Sequence, residues 1–258
     1  MLDTLRSYDV ITLAFIATFG TYLLTAIGTL PVLFFKSAPR AVMDAMMGFA
    51  AGVMVAASCW SLLVPAIERG GLVVACIGLL GGGAFLYVAD QLLPHLHGEF
   101  LNEAVPEGPR VAWQRSVLLM TAMTLHNVPE GMAVGVSFGS GDIGSATALA
   151  IGIGLQNVPE GFAVAISLLS IGYARSTAFW VAMLTGLVEP VGGAIGAAAV
   201  TLAEPLMPAI LGVAAGAMLF VISDEIIPET HRRGYETVAT FSLLGGFVAM
   251  MYLDVVFG

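Results

Sequence analysis

Apolar residues fall into eight long blocks, at positions 9–35, 41–67, 72–93, 113–138, 143–171, 175–202, 205–228 and 235–256, parted by short stretches rich in charge, proline or glycine. A helix needs about 20 such residues to cross the hydrocarbon layer of a membrane, and every block meets that length. Barrel strands would instead alternate polar and apolar residues over about 10 positions. In lipid only a helix or a closed barrel satisfies the backbone, so the pattern predicts an all-α membrane protein of eight transmembrane helices. One domain over residues 1–258 is expected. Its longest connection, about residues 94–112, holds His95, His97, Glu99, Glu103, Glu107 and three prolines, and is expected to be irregular.

Composition agrees with the blocks. Of 258 residues 58% are hydrophobic and 10% charged, where a soluble domain carries roughly a quarter charged. Seven basic residues, Lys36, Arg40, Arg110, Arg115, Arg175, Arg232 and Arg233, fall on one side of the expected membrane, while Arg6 and Arg69 fall on the other. The positive-inside rule makes the first side cytosolic and sets both termini outside, as in a multi-pass protein of the cell (inner) membrane. Asp3, Asp9, Glu68, Asp142, Glu204 and Asp254 then give an acidic outer face that concentrates cations. Acidic residues outnumber basic ones 18 to 9 with no basic run, which argues against a nucleic-acid partner. Cys59 and Cys76 lie in apolar blocks and supply neither a disulfide framework nor a multi-thiolate metal site. No basic segment with a small-residue cleavage site opens the chain, so no removable leader is expected.

One motif occurs twice. Residues 125–137 read LHNVPEGMAVGVS and residues 155–167 read LQNVPEGFAVAIS. A short loop joins the two helices, so they run antiparallel and the repeat is inverted about an axis in the membrane plane. Each copy sits near mid-span, where inverted repeats of transporters build their sites. His126 and Glu130 are four apart, as are Gln156 and Glu160, so each pair shares one helix face. Pro129 and Pro159 deprive the carbonyls of Leu125 and Leu155 of their usual helix donor, which predicts kinked backbone and spare oxygens. Gly131 and Gly161 let another helix approach closely.

Glu189, in GLVEPVGG, adds a third carboxylate at similar depth. A charge at mid-bilayer costs a few kcal/mol or more, and no Lys or Arg of this chain is expected there to offset it. Crowded carboxylates in a low dielectric cannot all stay ionised unaided, which leaves protons or metal ions as partners. Imidazole with carboxylate and amide oxygen suits Zn²⁺, Fe²⁺, Mn²⁺ or Cd²⁺, and zinc as cargo leads.

The sequences HNVPEG (126–131) and QNVPEG (156–161), the eight-block layout and the His-bearing loop resemble the ZIP family of divalent metal transporters, in particular its bacterial GufA-like branch. The resemblance covers essentially the whole chain. It implies a ligand set of His126, Asn127, Glu130, Gln156, Asn157, Glu160 and Glu189 for a one- or two-metal centre bridged by Glu130 and Glu160. Met54 resembles a further ligand position. Gln156 departs from the pattern, because many relatives carry His there. The family also implies inward transport to the cytosol, a bundle of spans one, four, five and six around the site, a homodimer, and alternating access.

Asp90, His95, His97, Asp224, Glu225 and His231, near the inner ends of spans three and seven, form a candidate exit route, with Glu225 foremost because ISDEIIP sets it on an otherwise apolar helix. An enzyme is not expected: an intramembrane metalloprotease would need a HExxH pair, which does not occur, and a rhomboid-like serine protease would need a Ser with a nearby His, where His126 is the only histidine expected at mid-membrane. The competing reading is a proton-coupled carrier or cation channel of another family using the buried carboxylates.

Overall fold

The structure is a computed structural model and describes residues 8–92, 95–97, 105–107, 115–232 and 234–257. Helix α1 (Val10–Thr29) begins where Asp9 accepts the backbone N–H of Thr12 at 3.3 Å, satisfying one of the four donors a helix start leaves open, and ends in a 3₁₀ turn, Leu30–Leu33. Helix α2 (Arg40–Ala57) passes through a π-helical turn, Ser58–Leu63, into α3 (Val64–Leu92). This 53-residue stretch, Arg40–Leu92, covers two of the expected blocks. They part at Gly71, whose φ of 78° and ψ of 163° lie outside the helix and are strained for any residue bearing a Cβ.

The connection at 94–112, expected to be irregular, contains two described segments, and both are strands. His95–His97 (β1) and Val105–Glu107 (β2) pair antiparallel, with His95 opposite Glu107 and His97 opposite Val105. Helices α4 (Arg115–Gly139) and α5 (Ile143–Ser170) follow, joined by a tight turn in which Gly141 takes φ 84° and Asp142 caps Ser145 N–H at 3.1 Å. Both helices continue through their internal prolines, Pro129 and Pro159.

The block at 175–202, expected to be one helix, is two: α6 (Arg175–Thr185) and α7 (Val188–Leu202). Pro190 has no N–H to close a helical bond onto the carbonyl of Gly186, which accepts instead from Glu189 N at 3.0 Å, a tightened turn that restarts the helix. Glu189 therefore sits in the first turn of α7, where the unpaired N–H groups favour a negative charge. Helix α8 (Met207–Val221), a π-helical turn (Ile222–Ile226), α9 (Ile227–Thr230) and α10 (Glu236–Phe257) complete the chain.

Among the described residues, six helical stretches are long and apolar enough to cross a membrane: Val10–Leu33, Arg40–Leu92, Ile143–Ser170, Arg175–Leu202, Glu204–Thr230 and Glu236–Phe257. They pack in two sets. α1 lies against α5 and α7, and α4 against α7; α3 packs on α8, and α10 on α2. The sets meet where α5 touches α2 and α10, and where α4 touches α8. α5 is largely enclosed, whereas α10 and the outer faces of α1 and α3 present Phe241, Val255, Phe19 and Leu80 outward, as lipid-facing helices do.

Glycine sets the spacing at the centre. A Cβ on Gly131 would strike the backbone of Glu189, and one on Gly161 the carbonyl of Thr25. The same position of the two repeats thus seats α4 against α7 and α5 against α1.

Candidate metal centre

The side chains of the repeat cross over. His126 Nε2 on α4 lies 3.2 Å from Glu160 Oε1 on α5, while Gln156 on α5 donates its amide to Glu130 Oε1 on α4 at 2.5 Å. The first polar residue of each copy therefore reaches the glutamate of the other. His126 Nε2 is also 3.7 Å from Glu130 Oε1 on its own helix, the four-residue pairing expected from sequence. Ligand atoms of His126, Glu130 and Glu160 all lie within 4.8 Å of one another, and the three residues are 3%, 0% and 2% exposed.

Such enclosure leaves polar atoms without partners. Glu130 Oε2, His126 Nδ1 and Gln156 Oε1 are buried and make no hydrogen bond. An orphaned buried acceptor costs about 1–3 kcal/mol, and more if charged, so the arrangement suits an occupant that is electron-poor. A carboxylate pair with one imidazole and one amide oxygen is a nitrogen–oxygen donor set that fits zinc or a similar divalent ion.

Asn157 links this cluster to a second one. Its Oδ1 accepts from Gln156 at 2.7 Å, and its Nδ2 donates to Glu189 Oε2 at 2.9 Å and to the Thr21 carbonyl at 3.2 Å. Glu189, fully buried, also accepts from the hydroxyls of Thr21 and Thr25 on α1. Asn127 turns its amide to the carbonyl of Thr185 at the end of α6, 3.1 Å away.

Residues 108–254, more than half of the chain, match the sequence pattern of the family described as ZIP Zinc transporter. The chain belongs to the ZIP family. Human zinc transporter ZIP11 is 37% identical over 98% of this chain and all of its own length. Zinc transporter GufA of Myxococcus xanthus is 43% identical across 91% of this chain and 94% of its own. Zinc transporter ZIPB of Bordetella bronchiseptica is 42% identical across 91% of this chain and 78% of its own. The bacterial pair agrees with the GufA-like branch expected from the two hexapeptides.

Other expected site residues are distributed as follows. Met54, 1% exposed, belongs to the main apolar cluster with Ala51, Val53 and Ile153. Glu225, in the π-helical turn before α9, brings Oε2 to 3.7 Å from His126 Nδ1 and so is a member of the exit group that reaches the centre. Asp224 lies on the same turn, and Asp90 is buried near the end of α3. His231 is committed elsewhere: Nδ1 lies 3.0 Å from the Ile227 carbonyl and Nε2 3.3 Å from Thr240, an arrangement that ties α9 to α10. His95 and His97 are on β1, and their side chains lie outside the described part of the chain.

Sequence reasoning missed Thr21 and Thr25. The available signal was a run of threonines at 18, 21, 25 and 29, a helical stripe of hydroxyls in an apolar block.

Proposed function

We propose that the chain moves divalent transition-metal ions, zinc foremost, across the cell (inner) membrane toward the cytosol, and that His126, Glu130 and Glu160 are the primary ligands of the travelling ion. It is a transporter and not an enzyme, and its cargo is zinc, as in the relatives that bear that name. The observation that carries the site assignment is the crossed pairing of the two repeats around buried, unpartnered donor atoms. Gln156 offers an amide oxygen where an imidazole would give nitrogen. Asn127, Asn157, Glu189 and Met54 complete the set, with Glu130 and Glu160 positioned to bridge a second ion. Glu225 is the first station of the exit route, followed by Asp90, Asp224 and the histidines of the cytosolic loop.

In this reading the chain crosses the membrane eight times. Gly71 turns Arg40–Leu92 into two spans, and Arg115–Gly139, 25 residues long, spans despite its polar centre. Both termini face outward. α1, α4, α5, α6 and α7 form the bundle that carries the ion, and the remaining helices form the set against which it moves; two such chains associate as a homodimer.

Uptake by liposomes tests the proposal. Wild-type protein is expected to carry Zn²⁺, with Cd²⁺, Fe²⁺ and Mn²⁺ compared in parallel, while His126→Ala and Glu160→Ala lose most transport. Full transport by either variant would remove that residue from the centre. Proton flux without metal flux would replace the metal reading by a proton carrier.

A further inference from the structure

The hydroxyls of α1 are not all used alike. Thr18, Thr21, Thr25 and Thr29 are all buried. A threonine inside a helix ordinarily returns its proton to a carbonyl three or four residues back, and Thr18 and Thr29 do so, at 2.6 Å to Ala14 and 2.7 Å to Ala26. Thr21 and Thr25 have such carbonyls within reach too, that of Thr18 at 2.9 Å and that of Thr21 at 3.4 Å, but they also reach across to α7. Thr21 Oγ1 donates to Glu189 Oε2, and Thr25 Oγ1 donates to Glu189 Oε1 at 3.1 Å.

Both carboxylate oxygens are thereby gripped from α1, which fixes the plane of the group as well as its position. Asn157 on α5 adds a third donor to Oε2. An ionised carboxylate offers about four acceptor positions, so one remains on Oε1. Packing alone does not call for this arrangement, because valine has the shape of threonine and would fill the same space without a donor. Hydroxyls aimed at a buried carboxylate serve to keep a charge in a defined orientation. Thr21 and Asn157 are bonded as well, through the Thr21 carbonyl, and Asn157 in turn holds Gln156. α1 is thus connected through one chain of hydrogen bonds to the His126–Glu130–Glu160 cluster.

We propose that Thr21 and Thr25 are positioning residues of the metal centre, holding Glu189 in the orientation in which it meets the divalent cargo. The inference rests on the zinc-transport reading and adds to it a contribution from α1, a helix outside the repeat.

Double-mutant cycles on the full-length purified protein test it. Zinc affinity is measured for Thr21→Val, Thr25→Val, Thr21→Ser and Thr25→Ser, each in the wild-type and the Glu189→Gln background. Loss of an outer partner of a metal ligand typically weakens binding about 10- to 100-fold, and that is the effect expected of each valine variant. The serine variants, which keep the hydroxyl, should return to within about twofold of wild type, the scatter of independent effects. In the Glu189→Gln background the valine substitutions should add nothing further. Valine variants that bind as wild type, equal losses in both backgrounds, or serine variants as weak as valine would each overturn the proposal. The cycles at positions 21 and 25 are independent, so a valine variant that fails to fold leaves the other to decide. A wild-type protein that binds no zinc would instead overturn the functional reading itself.

Discussion

Replacing Glu160 by glutamine separates the demands of binding from those of folding. The ligand oxygens of Glu130 and Glu160 lie within 4.8 Å of each other in a site closed to water. Two full charges at that separation repel by about 3 kcal/mol at an effective dielectric of about 20, and by less when they share a proton. Glutamine keeps the shape and the contact with His126 Nε2 but removes the repulsion. For a chain of this size each kcal/mol corresponds to about 2–4 °C in melting temperature, so the chelator-treated variant should unfold as much as about 10 °C above chelator-treated wild type. Zinc should close most of that gap. At 100 times its dissociation constant a ligand stabilises the folded state by about 2.7 kcal/mol, and only the wild type, with both carboxylates, should gain it. The assay is thermal unfolding in detergent with and without zinc. A metal-free Glu160→Gln protein that melts at or below wild type, or equal stabilisation of both by zinc, would refute the view that mutual repulsion is held in place for the sake of the ion.

Zinc uptake should fall as the medium is acidified from pH 8 to pH 5.5, because protons compete for His126, Glu130 and Glu160, which must be deprotonated to bind metal; a flux that rises on acidification contradicts the ligand assignment. Gly131→Ala sets a Cβ against the backbone of Glu189 and should lower melting temperature and transport together, while Gly245→Ala, which meets open space, should leave both unchanged. His231→Ala should cost about 1 kcal/mol of stability through its lost hydrogen bonds and leave transport rates intact, whereas Glu225→Ala should slow zinc release without abolishing binding; rapid-release measurements on both variants check this.

Much of this architecture is legible in the sequence because lipid imposes a simple rule, that apolar length equals a helix. The blocks at 9–35, 143–171 and 235–256 return almost unchanged as helical stretches, and the boundary between residues 67 and 72 falls at the positive-φ Gly71. The repeat was legible too, because His126, Glu130, Gln156 and Glu160 combine helical spacing with an antiparallel connection, and their crossed pairing follows from that inversion. The break after Thr185 was not, since GLVEP reads as apolar until the missing N–H of Pro190 is set against the carbonyl of Gly186. Thr21 and Thr25 were hidden for a different reason. Periodicity tells which face a residue occupies and not which helix that face meets, and only the approach of α1 to α7 makes two ordinary threonines into holders of Glu189. The approach of Glu225 to His126 likewise depends on the π-helical turn at Ile222–Ile226.

The most direct test is an anomalous-difference map from crystals of the full-length protein soaked in zinc, recorded on both sides of the absorption edge. A peak bounded by His126 Nε2, Glu130 and Glu160, absent from crystals of Glu160→Gln, is the expected result. Density confined to surface carboxylates, with those three side chains hydrogen-bonded to one another and no metal between them, would contradict it.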